Sequence, residues 1–153
     1  MDILSKMNIE AHKDRPLTPV NKKLTLWKPS EAFMHCCIES QGCRFNRIKG
    51  ACIMCDYGIG CNLTPIELKD ALEEELQLCI SSASTVLFGA YGSIFDTEEI
   101  SEECFDILLD FIVKQKIQTV IFETHCCTVN ERSLGKIQEK LCANGKKVII
   151  EMG

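Results

Sequence analysis

Short apolar runs alternate with amphipathic segments from Ala32 to the end of the sequence, and this alternation restricts the possible folds more than any other feature. Four of the runs are typical of buried strands: residues 32–40, 85–92, 118–124 and 146–153. Three segments between them are typical of helices: one that begins after Thr64, one over residues 101–116, and one from Asn130 to near Gly145. Strands joined by crossover helices form a parallel sheet. The sequence therefore predicts an α/β fold with functional residues at the carboxyl ends of its strands.

The first helix carries the clearest local signals. Thr64-Pro65-Ile66-Glu67 has the pattern of a capping box with proline at the first helical position. One buried face is predicted for this helix, formed by Leu68, Ala71, Leu72, Leu76 and Cys79. Cys104 and Cys142 are predicted to pack as small apolar residues in the later helices.

Residues 1–30 are predicted to be an N-terminal extension, ahead of a single domain over residues 31–153. The extension has prolines at positions 16, 19 and 29, and KKLTLW (22–27) fits a short edge strand. The N-terminus lacks the continuous apolar run of a signal peptide, and no stretch approaches the roughly 18 apolar residues of a membrane helix. We therefore expect a cytoplasmic protein that makes no contact with a membrane.

Eleven cysteines occur in the 153 residues, and two pairs of them are adjacent in sequence, at 36–37 and 126–127. An odd number of cysteines without an export signal argues against a disulfide framework and favours metal binding, a cluster or catalysis. The net charge of −5 argues against a broad nucleic-acid-binding surface, which normally has an excess of Lys and Arg.

The segment GCRFNRIKGACIMCDYG (42–58) contains three of these cysteines, Cys43, Cys52 and Cys55. Three thiolates fall short of the four ligands of a closed zinc site or of an ordinary four-iron cluster, so one iron of a cluster would stay open. An open iron can bind S-adenosylmethionine. Cys61 could instead supply a fourth zinc ligand, and spacing alone leaves both possibilities open. The position of the loop, after a strand and before a capped helix, favours the cluster.

The same segment resembles the cluster loop of radical S-adenosylmethionine enzymes, especially the Elongator-catalytic-subunit-like group and the radical subunit of archaeosine synthase. The shared features are the leading Gly-Cys, the basic and aromatic spacer, Gly-x-Cys-x-Met-Cys and the trailing Tyr-Gly. The resemblance implies that Cys43, Cys52 and Cys55 ligate a 4Fe-4S cluster. It also implies that Met54 lies against the adenine of S-adenosylmethionine, with Tyr57 beside it.

Two further segments resemble the same family. GAYGSIFD places Gly92, Ser93 and Asp96 where relatives hold the methionyl amino group, although an ordinary turn that needs glycine would look the same. IFETHCC retains, as Glu123, the glutamate that relatives have at the end of the third predicted strand, and the resemblance implies that Glu123 binds the cofactor. His125 and Cys126 replace the Arg-Pro of relatives, which puts a shared substrate in doubt. Together with Cys127, they could contact substrate, hold an auxiliary metal or line the wall of the barrel mouth.

The fold implied by the resemblance is a partial (β/α)6 TIM-like barrel. Four strands and three helices cover residues 31–153, so we expect the N-terminal part of such a barrel, continued by further chain or by a partner, and do not expect these residues to complete catalysis alone. The implied activity is reductive cleavage of S-adenosylmethionine to a 5′-deoxyadenosyl radical that abstracts hydrogen from a substrate. The electron would come from a donor such as flavodoxin or ferredoxin, and the substrate could be a small molecule, a peptide or a tRNA. The alternative is a non-catalytic four-cysteine zinc-binding or accessory module.

Overall fold

A computed structural model describes residues 23–45 and 63–153 of the chain. Its strands form a single five-stranded sheet in the order β1-β2-β3-β4-β5. The strands are β1 (Leu24–Ser30), β2 (Phe33–Ile38), β3 (Thr85–Ala90), β4 (Thr119–Thr124) and β5 (Lys147–Met152). β2 to β5 are parallel, whereas β1 pairs antiparallel with β2. The α/β class is confirmed, but the sheet is mixed and not purely parallel, because the chain turns back tightly at residues 31–32 between β1 and β2.

Helical segments connect the parallel strands. They are α1 (Pro65–Ala71), a π-helix (Leu72–Leu76), α2 (Gln77–Cys79), α3 (Glu102–Lys114) and α4 (Glu131–Lys140). Short 3₁₀ turns lie at Ile80–Ser82, Cys126–Thr128 and Cys142–Asn144. The third predicted helix therefore ends at Lys140 and continues only as a 3₁₀ turn before Gly145, whose φ of 77° is the left-handed conformation that favours glycine.

Side chains predicted to cap α1 do so. Thr64 Oγ1 accepts a hydrogen bond from the Glu67 backbone N–H at 3.3 Å, and Glu67 Oε2 accepts one from the Thr64 backbone N–H at 3.0 Å. Ser101 caps α3 and Asn130 caps α4 in the same way, each accepting from the backbone N–H three residues later. These caps fix where each helix begins after the strand that precedes it.

A π-helical turn interrupts the helix that follows Thr64. The Gln77 backbone N–H donates to Leu72 O, five residues earlier, so the turn holds one extra residue. Leu72 and Leu76 stay buried, but the predicted burial of Cys79 is wrong: Cys79 is exposed and Ile80 is buried instead. The extra residue rotates everything after it to a different helix face.

Alternate residues of the strands share one hydrophobic core with the helices. The strand residues in this core are Leu24, Met34, Cys36, Ile38, Val86, Phe88, Ala90, Val120 and Phe122, and the helix residues include Leu68, Leu72, Leu76, Cys104, Leu108, Ile112 and Ile137. The intervening strand residues, such as His35 and Leu87, lie on the opposite face and are only half-buried, and Ile149 of β5 is exposed. Within residues 23–45 and 63–153, the helices therefore cover a single face of the sheet.

Four phenylalanines anchor the segment that follows β3 to this core. Phe95, seven residues beyond Phe88, lies with its ring centroid 5.8 Å from that of Phe122 and 5.7 Å from that of Phe105. Phe122 also contacts the Phe88 and Phe105 rings at 6.1 Å. The residues around Phe95 are thus held against β4 and α3. Cys104 is buried as predicted, whereas Cys142 is only partly buried.

None of the helices within the described ranges has the length and apolar character that a membrane crossing requires.

We expect Thr64→Ala to lower the free energy of unfolding by about 1 kcal/mol at neutral pH, because the Glu67 N–H loses its acceptor. The hydrogen bonds from Thr64 hold the pKa of Glu67 below its ordinary value. A carboxyl group whose pKa is lower in the folded than in the unfolded protein stabilises the fold at pH values above its unfolded pKa. This stabilisation is lost as the pH falls through the folded pKa. The difference in the free energy of unfolding between Thr64→Ala and wild type should therefore become smaller in acid, as measured by urea denaturation at several pH values.

Thr97→Ala, at an exposed position, is the matched control and should change the free energy of unfolding little at any pH. Equal effects of the two substitutions would contradict the capping role of Thr64.

Candidate functional site

Segments leaving β2, β3 and β4 meet at the carboxyl ends of these parallel strands. The Ser40 hydroxyl donates to Tyr91 O at 3.1 Å and accepts from the Gly42 N–H at 3.1 Å, so it joins the end of β2 to the end of β3. Cys43 follows and is buried, with 4% of its surface exposed. Its Sγ lies 3.7 Å from Nε2 of His125, directly after β4. One of the three predicted cluster ligands is therefore at the predicted edge of the sheet.

Glu99 bridges the cysteine segment to the turn after β3. Its Oε1 accepts from the Arg44 backbone N–H and its Oε2 from the Ser93 backbone N–H, both at 2.5 Å. The side chain is only 5% exposed, and this burial raises the pKa of the Glu99 carboxyl, while the two N–H donors act in the opposite direction. Sequence reasoning missed Glu99, because its partner Arg44 is 55 positions away in sequence and no local pattern marks it.

Gly92 is packed too closely for any other residue. Its φ is +148°, and a Cβ added there would overlap Glu99 Oε2 and come within 3.1 Å of Cys43 Cα. Gly92 was predicted as a cofactor contact; in the structure its absent side chain lets the Cys43 backbone and the Glu99 carboxylate approach β3.

Asp96 lies beside this group and is buried, at 5% exposure. Its Oδ1 accepts from the Glu98 backbone N–H at 3.0 Å, and Arg44 Nε lies 3.0 Å from its Oδ2. Arg44 is also 3.5 Å from the Glu98 carboxylate. Although ion-paired, Asp96 Oδ2 receives no aligned hydrogen bond within the described part of the chain. This carboxylate oxygen is therefore neutralised by Arg44 without being fully hydrogen-bonded.

Ser93 is already engaged within the protein. Its Oγ lies 2.5 Å from the hydroxyls of both Thr124 and Thr128 and accepts from the His125 N–H at 3.3 Å. The Thr128 hydroxyl donates to His125 O at 2.8 Å. This buried hydroxyl cluster ties the ends of β3 and β4 together and fixes the backbone of His125. The two threonines were not predicted, and only their positions at the end of β4 could have suggested them.

Glu123 lies on the face of the sheet that the helices leave open. A Cβ added at Gly89 would come within 2.9 Å of Glu123 Oε2 and 3.6 Å of His35 Nε2, so the carboxylate occupies the space above that glycine. His35 Nε2 is buried and has no hydrogen-bond partner among the described residues. Burial first, and then the Glu123 and Glu39 carboxylates, raise the pKa of the Cys37 thiol to about 12.

The remaining predicted residues either follow β4 directly or lie outside the described residues. His125 packs its ring edge-on against Phe45 at 5.5 Å, while Cys126 and Cys127 are exposed. Cys52, Met54, Cys55, Tyr57 and Cys61 lie outside the described residues. Across residues 23–45 and 63–153, no group of three or more His, Cys, Asp or Glu side chains is arranged to hold a metal ion.

Gly92→Ala should lower the free energy of unfolding by at least about 2 kcal/mol, because the new Cβ overlaps Glu99 in a strained backbone conformation. Gly135→Ala is the matched control: Gly135 lies within α4 with nothing within 4 Å of the added atom, and alanine should stabilise the helix by about 0.5–1 kcal/mol. Chemical denaturation of both variants tests the expectation. A Gly92→Ala variant as stable as wild type would contradict the close packing described above.

Comparison of the chain with protein-family models, with curated proteins and with solved structures gives no match.

Proposed function

We propose that this chain is the cluster-bearing part of a radical S-adenosylmethionine enzyme, which cleaves the cofactor reductively to a 5′-deoxyadenosyl radical. The observation that supports the proposal most is the position of Cys43, the first cysteine of the loop 42–58. It is buried at the carboxyl ends of three parallel strands, where parallel α/β folds bind their ligands. The same edge carries Asp96, in the second segment that resembles the family.

The partial (β/α)6 barrel belongs to the same proposal. β2 to β5 follow one another in sequential order, and the helices cover one face of the sheet. In a β/α barrel the helices surround the sheet, while the opposite face turns inward. On this proposal, His35, Gly89 and Glu123 would face the barrel interior, where a substrate is bound.

Donor chemistry around Cys43 fits an iron–sulfur cluster. Cys43 would ligate it together with Cys52 and Cys55. His125 Nε2 lies 3.7 Å from the Cys43 sulfur and can donate a hydrogen bond to a thiolate. When bound, a four-iron, four-sulfur cluster with an open iron supplies the electron and the coordination position that homolytic cleavage of S-adenosylmethionine requires.

Of the three residues predicted to contact the methionyl amino group, Gly92, Ser93 and Asp96, the last fits this role best. Its Oδ2 is buried and ion-paired with Arg44 Nε but accepts no aligned hydrogen bond within the described residues, whereas the Ser93 hydroxyl is satisfied by Thr124 and Thr128. A carboxylate in that position would accept a hydrogen bond from an ammonium group and neutralise its charge. The role of Ser93 would then be to hold the ends of β3 and β4 in place.

Anaerobic reconstitution with iron and sulfide tests the cluster. We expect a brown, oxygen-sensitive protein with about four irons per chain, and a loss of most of the iron in Cys43→Ala, Cys52→Ala and Cys55→Ala. Cys61→Ala and Cys79→Ala are the controls and should retain it. Formation of 5′-deoxyadenosine after reduction, in the protein extended by any natural continuation of its chain, would support the activity.

A colourless protein that holds one tight zinc ion, and loses it in Cys61→Ala, would overturn the cluster proposal. That result would instead support the four-cysteine zinc-binding module.

Asp96→Asn tests the contact to S-adenosylmethionine. Asparagine keeps the Oδ1 that accepts from the Glu98 N–H but replaces Oδ2 with a donor. We therefore expect the Kd of the cluster-loaded protein for S-adenosylmethionine to increase at least tenfold, which corresponds to about 1.4 kcal/mol of binding free energy. Glu98→Gln removes a neighbouring charge near Arg44 and should leave the Kd within about twofold. Calorimetric titration under anaerobic conditions measures both, and equal affinities of Asp96→Asn and wild type would contradict the assignment.

A further inference from the structure

We infer that Glu99 is a positioning residue that fastens the Cys43 segment to the turn after β3. Its role as a holder of Cys43 follows from contacts within the chain alone. That the thiol so held ligates a cluster rests on the proposed function.

Two backbone N–H groups, 49 positions apart in sequence, converge on the Glu99 carboxylate. One belongs to Arg44 and therefore fixes the peptide bond that immediately follows Cys43. The other belongs to Ser93 and fixes the peptide bond that follows Gly92. A carboxylate has two acceptor oxygens and no donor, so it accepts from both N–H groups at once, one on each oxygen. A glutamine in the same orientation would keep one acceptor oxygen and turn its NH2 group toward the other N–H.

The second fixed point is itself rigid. Ser93 contacts Thr124 and Thr128 through its hydroxyl, and the neighbouring Phe95 packs against Phe122 in the aromatic core. Glu99 therefore attaches the Cys43 segment to a part of the protein that cannot easily move.

Gly92 completes the attachment. Because it has no side chain, the Glu99 carboxylate and the Cys43 backbone both fit against β3 at this point. Burial of a carboxylate is unfavourable unless hydrogen bonds compensate for its lost hydration, and the two short bonds to Arg44 N and Ser93 N provide that compensation. A solvent-exposed glutamate would be hydrated and would not need these two N–H donors.

This arrangement restricts the position of the Cys43 thiol. With the following peptide bond fixed, its thiol is held beside His125 Nε2 before any ligand arrives. Preorganisation of this kind lowers the entropy that a ligand site must lose on binding. Glu99 would therefore influence how readily Cys43 reacts or ligates, without touching the ligand.

Alkylation of Cys43 in the metal-free protein tests the inference. Glu99→Gln preserves the shape but can accept only one of the two hydrogen bonds, so we expect iodoacetamide to modify Cys43 at least tenfold faster than in wild type, as measured by peptide mass spectrometry. The exposed Cys126 and the buried Cys104 serve as internal references and should react at unchanged rates. Glu139→Gln, at an exposed site on α4, is the charge-matched control and should leave Cys43 unchanged.

An unchanged rate at Cys43 in a folded Glu99→Gln protein would overturn the inference. So would an equal rise at Cys104, because Glu99 would then support the whole fold and not Cys43 in particular. Hydrogen exchange in the wild-type protein needs no variant: the Arg44 and Ser93 amides should be strongly protected, and exchange of either at the rate of an open loop would also overturn the inference.

Iron loading separates this inference from the proposed function. If the wild-type protein takes up iron and Glu99→Gln releases it to a chelator several times faster, the result supports both the proposed function and the role of Glu99. If the wild-type protein takes up none, the proposed function fails, and alkylation and exchange still decide the role of Glu99. If it loads normally and Glu99→Gln matches it in both alkylation and iron release, the role of Glu99 fails and the proposed function stands.

Discussion

Burial of the same face on every parallel strand is the constraint on which the rest of the structure depends. Val86, Phe88, Val120 and Phe122 point to the side that the helices cover, and the strands follow one another in sequence. Because each crossover returns the chain to the same end of the sheet, the segments after β2, β3 and β4 must meet at one edge. The site is therefore a consequence of how the core is buried.

The electrostatics at the carboxyl ends of the strands depends on two buried carboxylates, Asp96 and Glu99. Glu99 receives two backbone N–H groups, and Asp96 receives one together with the Arg44 guanidinium. Two acidic groups in a confined space repel each other, and the neighbouring Asp96 acts with burial to raise the pKa of Glu99. Arg44 offsets part of this repulsion, so the residue after Cys43 contributes both its N–H and its charge to the site.

Much of the fold could be predicted from local signals, whereas much of the site could not. Apolar runs indicated β2 to β5, and the capping residues at Thr64 and Asn130 marked helix starts, because these signals act over a few residues. The π-helical turn adds a residue to the helix, so the 3.6-residue period predicted the wrong buried residue: Ile80 is buried and Cys79 is exposed. The bridging role of Glu99 depends on partners brought together only by tertiary structure, so no pattern in its own segment could reveal it.

Strand β5 lies at one edge of the sheet within the described residues, and its two faces differ in chemistry. Val148 and Ile150 pack against the core that the helices cover, whereas Lys147, Ile149 and Glu151 are exposed on the opposite face. Charged groups are costly to dehydrate unless they are paired. Any segment that covers this face of β5 must therefore leave Lys147 and Glu151 in contact with water or supply groups of opposite charge.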